Sequence, residues 1–258
     1  MEKLLITICG RAGSKGFKNK NLKTFCGQPL VYYSLAAAQL FRESRPDVQV
    51  DLCLNTDSEA LAKLVAERYP EVVFLPRSEE LGGDRVPKMA VIQDSLSRME
   101  EKAGGAYNYV MDLDITSPLR TAEDVRNAFA LAQDRPDLDL VFSVTESRRN
   151  PYFNMVRRCG DHVEKGVENA PGTPAFTARQ MAPEFYDVNA SIYVYRRAFL
   201  AGNTTGILWD GKIGASLMMD TGILDIDSEE DFKLMEVIGA HLYATLEPFA
   251  RVQAAIRG

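Results

Sequence analysis

The sequence predicts an α/β protein in which a mostly parallel sheet carries helices on both faces. Three observations predict it. Through the first 145 residues, short apolar runs rich in branched or aromatic side chains alternate with longer segments whose apolar residues recur every three or four positions. Such strand–helix–strand alternation is the signature of a parallel sheet covered on two sides. The pattern breaks at residues 147–187, where apolar and polar residues alternate among glycines and prolines with no long helical spacing, and it resumes afterwards. A chain of 258 residues, 46% hydrophobic and 26% charged, suits one globular domain, 1–258, with that stretch as an insertion.

Each element has a local reason. The runs 3–9, 48–54, 72–75, 107–113 and 138–144 are short and bounded by turn residues, and read as strands. Between them, 29–44, 58–69, 87–103 and 121–134 have helical spacing. The first and third open on Pro29 and Pro87, which suits a first helical position. Thr121 with Asp124, and Ser228 with Asp231, have the spacing of capping boxes, the second starting a final helix. After the insertion, "DVNASIYVYRR" (187–197) reads as a further strand of the parallel pattern, and "SLMMDTGILDID" (216–227) leads into the last helix.

Composition removes several function classes. A formal net charge of -6 argues against a general nucleic-acid or membrane-surface binder, so any anion site should be local. Four cysteines with no C-x-x-C pair, and two histidines, make a structural zinc site a poor reading. Cys9 and Cys53 lie in apolar runs where free thiols act as small hydrophobes, and a reducing cytoplasm is the expected compartment. "MEKLLITIC" is too short for a signal peptide, and no apolar run approaches the roughly 18 residues that span a bilayer.

Against this acidic background, "ICGRAGSKGFKNKNLK" (8–23) gathers one arginine and four lysines directly after the first strand. Gly10, Gly13 and Gly16 permit a turn whose N–H groups can meet phosphate oxygens, and Arg11, Lys15, Lys18 and Lys20 supply charge. The loop fits a polyphosphate. It matches neither G-x-x-x-x-G-K-[ST] nor G-x-G-x-x-G, so P-loop ATPase and dinucleotide-oxidoreductase readings lose their main support.

"RAGSKGFKNKNLKTFCGQPLVYYSL", with "TSPLR" (116–120), "NASIYVY" (189–195) and "DIDSEEDF" (225–232) in order, resembles the acylneuraminate cytidylyltransferases, or CMP-sialic acid synthetases, over nearly the whole chain. The resemblance implies a three-layer sandwich on a Rossmann-like nucleotidyltransferase sheet. It also implies that residues 147–187 form a dimerisation segment reaching a second copy, where Arg148, Arg149, Tyr152 and Phe153 are candidate contacts. CTP is then the nucleotide substrate: Arg11, Ser14, Lys15 and Lys20 are similar to the triphosphate loop, Asn21 to the ribose contact, Arg77 to a cytosine-proximal arginine, and Asp84 to a residue shaping the base pocket.

Asp225 and Asp227 bracket Ile226, so in an extended segment both carboxylates share a face while the isoleucine points to the core. Beside a triphosphate the pair suits Mg²⁺, which takes one or two carboxylates and completes its shell with phosphate and water; by resemblance the pair holds that metal. With Arg11 and Lys20 it could neutralise charge developing on the α-phosphate, leaving no need for a covalent intermediate. The other substrate should be a nine-carbon 2-keto sugar acid, with Asp114, Thr116, Ser117, Arg120, Arg179, Gln180 and Asn189 as candidate contacts. "LDITSP" puts Asp114 where many sialic acid enzymes have an amide, and "DLDITSPLR", "RRNPYFN" and "NASIYVY" look more like the legionaminic acid branch. A non-catalytic nucleotide-sugar sensor and a 3-deoxy-octulosonate cytidylyltransferase are the rival readings.

Overall fold

The structure is a computed structural model that describes all residues except 14–16, 84–85, 173, 224 and 258. Chain order is β1 (Glu2–Gly10), a small hairpin of β2 (Thr24–Phe25) and β3 (Gln28–Pro29), α1 (Leu30–Ser44), β4 (Val48–Thr56), α2 (Glu59–Arg68) and β5 (Val73–Pro76). Then come α3 (Lys88–Ala103), β6 (Tyr109–Leu113), α4 (Ala122–Asp134), β7 (Leu140–Glu146), a second hairpin of β8 (Val156–Cys159) and β9 (His162–Lys165), and β10 (Tyr186–Arg196). The chain closes with α5 (Arg197–Gly202), β11 (Ile213–Leu217), α6 (Glu229–Thr245) and α7 (Glu247–Arg257).

Seven strands form one sheet in the order β11-β7-β10-β6-β1-β4-β5. All pairings are parallel except those of β10, which runs antiparallel to both β6 and β7. The expected parallel direction for that strand is therefore corrected. Its cause is the path of the insertion: Glu146 and Tyr186 face each other across β7 and β10, so the chain returns beside the strand it left, as a hairpin does.

Strand β1 lies inside the sheet, between β6 and β4, and its alternation divides the core into two layers. Leu4, Ile6 and Ile8 join one cluster with α1, α2, α4, α6 and α7, while Leu5 joins another with α3 and α5. A strand buried on both faces needs a continuous apolar run, and this one has it. Both capping boxes form, at Thr121 with Asp124 and at Ser228 with Asp231. Pro29 and Pro87 sit one position earlier than expected, as the residues that precede α1 and α3. The final helix is two helices, because Pro248 lacks an N–H and its ring would collide with the preceding turn; Leu246 turns extended instead.

Candidate active site

Ligands on open α/β sheets bind beyond the carboxyl ends of the strands, where strand order reverses. Here the reversal falls at β1, from which the chain builds β4 and β5 on one side and β6 on the other. Gly10 ends β1 at this point, where a β-carbon would stand 2.7 Å from Leu61 Cδ2 and 2.8 Å from Ile115 Cδ1, so both side-chain tips would have to shift to admit one. Beyond it opens a cleft of about 610 Å³, lined by residues from the β1, β5 and β6 ends and from the segment before α6. That size lies within the usual range for small-molecule sites.

Arg11, Lys20, Asn21 and Arg77 line this cleft. Asn21 is buried and donates from Nδ2 to Arg11 O at 3.2 Å, folding the loop back on itself. Arg77 is aimed by Asn55 at the end of β4, donating Nε to its Oδ1 at 2.9 Å and Nη2 to its carbonyl at 2.8 Å. The expected roles of Ser14, Lys15 and Asp84 lie outside the described residues.

Asp225 and Asp227 line the same cleft, and Ile226 between them is fully buried. Ile226 N donates to Thr116 O at 2.9 Å, tying this segment to the loop after β6. Lys20 Nζ donates to Ile226 O at 2.6 Å and stands 3.4 Å from Asp227 Oδ1, so the cationic loop and the acidic segment hold each other. Burial first, then the charges of Asp227 and Asp114, raise the Asp225 pKa. A divalent cation would relieve that repulsion, so the residues present fit one. Among the described residues no group of three or more His, Cys, Asp or Glu side chains is gathered for a metal. Two carboxylates sharing a cation with phosphate oxygens and water is the arrangement Mg²⁺ favours, rather than an all-protein cage.

Lys88, which sequence reasoning missed, opens α3 with its ammonium in the cleft, 2.6 Å from Asp112 Oδ2 and 2.5 Å from Asp114 Oδ2. Asp114 Oδ1 accepts from both N and Oγ1 of Thr116, each at 3.0 Å. Burial opposes the charge on Asp114, but Lys88 and Thr116 outweigh it and lower its pKa to about 2. Burial likewise opposes the charge on Lys88, and Asp112 and Asp114 outweigh it, holding the ammonium protonated well above its usual range. Cys9 borders the cleft, yet burial and then Asp112 push its thiol well up, which leaves it inert as a nucleophile. No motif announces Lys88; a lysine where a helix dipole disfavours it was the one available signal.

The structure does not bring Ser117, Arg120 and Asn189 to the cleft. Arg120 is fully buried and donates Nη1 to Ser191 O at 2.5 Å, and Nη2 to Asp114 O at 2.5 Å and to Ser34 Oγ. Ser117 Oγ donates to Asn189 O at 3.0 Å, and Asn189 Oδ1 accepts from Ser143 Oγ at 2.5 Å. Reading these three as sugar contacts gives way to a structural role: they brace the bulge in β10 between Val188 and Tyr193, where Ala190 takes φ 52°. Arg179 and Gln180 line a separate polar hollow of about 610 Å³ with Ser147, Arg149 and Asn150, and Arg179 Nη2 donates to Ser147 O.

A parallel sheet that feeds one cleft at its switch point, with cations and paired carboxylates facing each other across it, defines an α/β enzyme of the nucleotidyltransferase class. Residues 5–238 match the family described as cytidylyltransferase, and the chain belongs to that family. It is 35% identical to the post-translational flagellin modification protein B of Campylobacter coli, over 92% of this chain and 95% of that one. It is 36% identical to the CMP-N,N'-diacetyllegionaminic acid synthase of Campylobacter jejuni, with the same coverage of 92% and 95%. Among solved structures, a CMP:2-keto-3-deoxy-manno-octonic acid synthetase complexed with CTP superposes with a TM-score of 0.66 at 14% identity, covering 93% of this chain and 99% of that one; the likeness concerns the fold alone.

Proposed function

We propose that this cytidylyltransferase activates a nonulosonic acid of the legionaminic acid type with CTP. The oxygen of the anomeric hydroxyl bonds to the α-phosphorus and gives up its proton to solvent, the bond to the bridging oxygen breaks, and pyrophosphate leaves beside the CMP-sugar. One observation carries the reading: Lys20 joins the basic loop to the Asp225–Asp227 segment across a cleft at the switch point. The 36% identity to a legionaminate synthase supports the choice of sugar.

Arg11 and Lys20 meet the charge of the triphosphate and the charge that builds as pyrophosphate departs. Asn21 and Arg77 are assigned to the nucleoside, with Ser14, Lys15 and Asp84 retained from the sequence resemblance. Asp225 and Asp227 would hold Mg²⁺, which when bound supplies charge neutralisation at the phosphate oxygens. Asp114, lowered to about 2, is too weak a base at neutral pH to remove the hydroxyl proton. Asp114 and Thr116 are assigned to the sugar acid in the cleft, and Arg179 and Gln180, in the separate hollow, are assigned to reach it from the insertion of a second copy. Residues 147–187 carry exposed Phe153, Met155, Val156, Val163 and Met181, and this apolar surface is assigned to pairing with a second copy. No helix among the described residues is long and apolar enough to cross a membrane, and all four cysteines are free, which fits a reducing cytoplasm.

The test is direct. Purified protein with CTP and Mg²⁺ is offered N,N'-diacetyllegionaminic acid, N-acetylneuraminic acid and 3-deoxy-manno-octulosonic acid, and pyrophosphate and CMP-sugar masses are followed. The legionaminate should turn over best. Bound CTP with no pyrophosphate from any sugar acid would leave only a nucleotide-binding sensor.

A further inference from the structure

We propose that Lys88 is a positioning residue for the acceptor side of the cleft: it clamps Asp112 and Asp114 so that Asp114 presents one open carboxylate lone pair to a hydroxyl or amide N–H of the sugar acid. The inference rests on the function proposed above and concerns how the acceptor is oriented.

Asp112 and Asp114 stand two residues apart at the end of β6, so their carboxylates tend to one face. Asp112 is fully buried beside Thr7, whose hydroxyl donates to Asp112 Oδ1 at 2.7 Å. Two anions this close would repel, and Asp114, on the solvent side, would be the one to turn away. Lys88 prevents it by standing 2.6 Å from one and 2.5 Å from the other. Both acceptor positions of Asp114 Oδ1 are taken by Thr116, and Oδ2 receives Lys88, which among the described residues leaves Oδ2 one further position on a side chain 19% exposed in the cleft.

The charge of the group decides what that position accepts. The lone pair of an ionised carboxylate takes only a donor, so the carboxylate of a sugar acid, which has none at neutral pH, is kept away there. A hydroxyl or amide N–H is drawn in by a charge-assisted bond. The acceptor is thereby oriented, with its carboxylate away from Asp114 and a neutral donor against it. The position of Lys88 at the start of α3 agrees, because the helix dipole disfavours a cation there and the two carboxylates hold it in place.

Two variants test this without leaving a buried charge alone: Asp114→Asn, and the double variant Lys88→Met/Asp112→Asn. Each should raise KM for the sugar acid about tenfold or more and leave KM for CTP within about twofold, the loss expected for one bond to a charged group. Joining all three substitutions should add little, because Lys88 acts through Asp114. An acceptor analogue with the responsible hydroxyl replaced by hydrogen should lose as much on the wild-type enzyme and lose nothing more on Asp114→Asn. Equal rises in both KM values, additive losses, or an unchanged sugar-acid KM would overturn the proposal. A wild-type enzyme that turns over while these variants match it defeats this inference alone; one silent on every sugar acid defeats the proposed function and takes this inference with it.

Discussion

Lys20 serves two walls of the cleft at once, since its ammonium holds the Ile226 carbonyl and faces Asp227 while its backbone belongs to the basic loop. Lys20→Ala should therefore lower kcat at saturating CTP by about 100-fold, the scale of one lost transition-state donor. A melting curve run beside the kinetics separates this from collapse of the segment, and an unchanged kcat would remove Lys20 from the chemistry. Asp225 is strained in the opposite sense. Its raised pKa means that the folded state favours the protonated acid, so ionised Asp225 subtracts from stability at neutral pH. Below the ordinary value of 3.8, where folded and unfolded chains both keep the proton, the penalty is gone. Asp225→Asn should thus raise the melting temperature of the ligand-free protein near pH 7 by about 2 °C, less than about 1 kcal/mol in a chain of this size. The gain should close as pH falls, while turnover drops. Equal gains at pH 7 and near pH 4 would show that the charge on Asp225 is not the cause.

At the scale of elements, the end of β6 is held by side chains that sequence alone could not sort. Periodicity and caps gave six of the seven strands of the central sheet, all but β11, and most helix starts, because burial on a sheet and an unsatisfied helix end leave marks in neighbouring residues. Direction leaves none, so antiparallel β10 could not be read from its own pattern. Arg120 shows the same limit in the site: in "TSPLR" it looks like an anion ligand, yet it is fully buried and its Nη1 and Nη2 groups are turned to Ser191, Asp114 and Ser34, from β10, the β6 end and α1. The Asp225–Asp227 pair was legible because alternation about buried Ile226 fixes its face, whereas Lys88 depends on a contact 24 and 26 positions away along the chain. Arg120→Met would take the charged donor from those three oxygens and, at roughly 1.5–3 kcal/mol per bond and with incomplete additivity, should cost about 3–5 kcal/mol of stability. CTP affinity of the folded fraction should persist. Urea unfolding with a parallel CTP titration reads both; intact stability with weakened sugar-acid binding would restore Arg120 as a ligand.

At the scale of the whole molecule, the insertion and the seven-stranded sheet are separable in their hydrogen bonding. Strands β8 and β9 pair only with each other, and among the described residues none from the insertion borders the cleft at the switch point. The two ends of the insertion lie side by side: Glu146 faces Tyr186, and Ser147 N donates to Phe185 O at 3.1 Å. Replacing residues 148–184 by Asn-Gly would close β7 onto β10 with a two-residue hairpin turn, the connection that antiparallel neighbours favour. The cost includes the Arg148–Asp220 pair at 2.5 Å, whose exposure makes it a minor contribution. The shortened chain should keep a cooperative melt and bind CTP, because both core layers and the cleft are intact. It should lose self-association, and with the hollow of Arg179 and Gln180 gone it should no longer turn over the sugar acid. Sedimentation, calorimetric CTP titration and pyrophosphate release measure the three separately. A shortened chain that still associates would put the contact between copies on another face, and one that fails to fold would make the insertion part of the core.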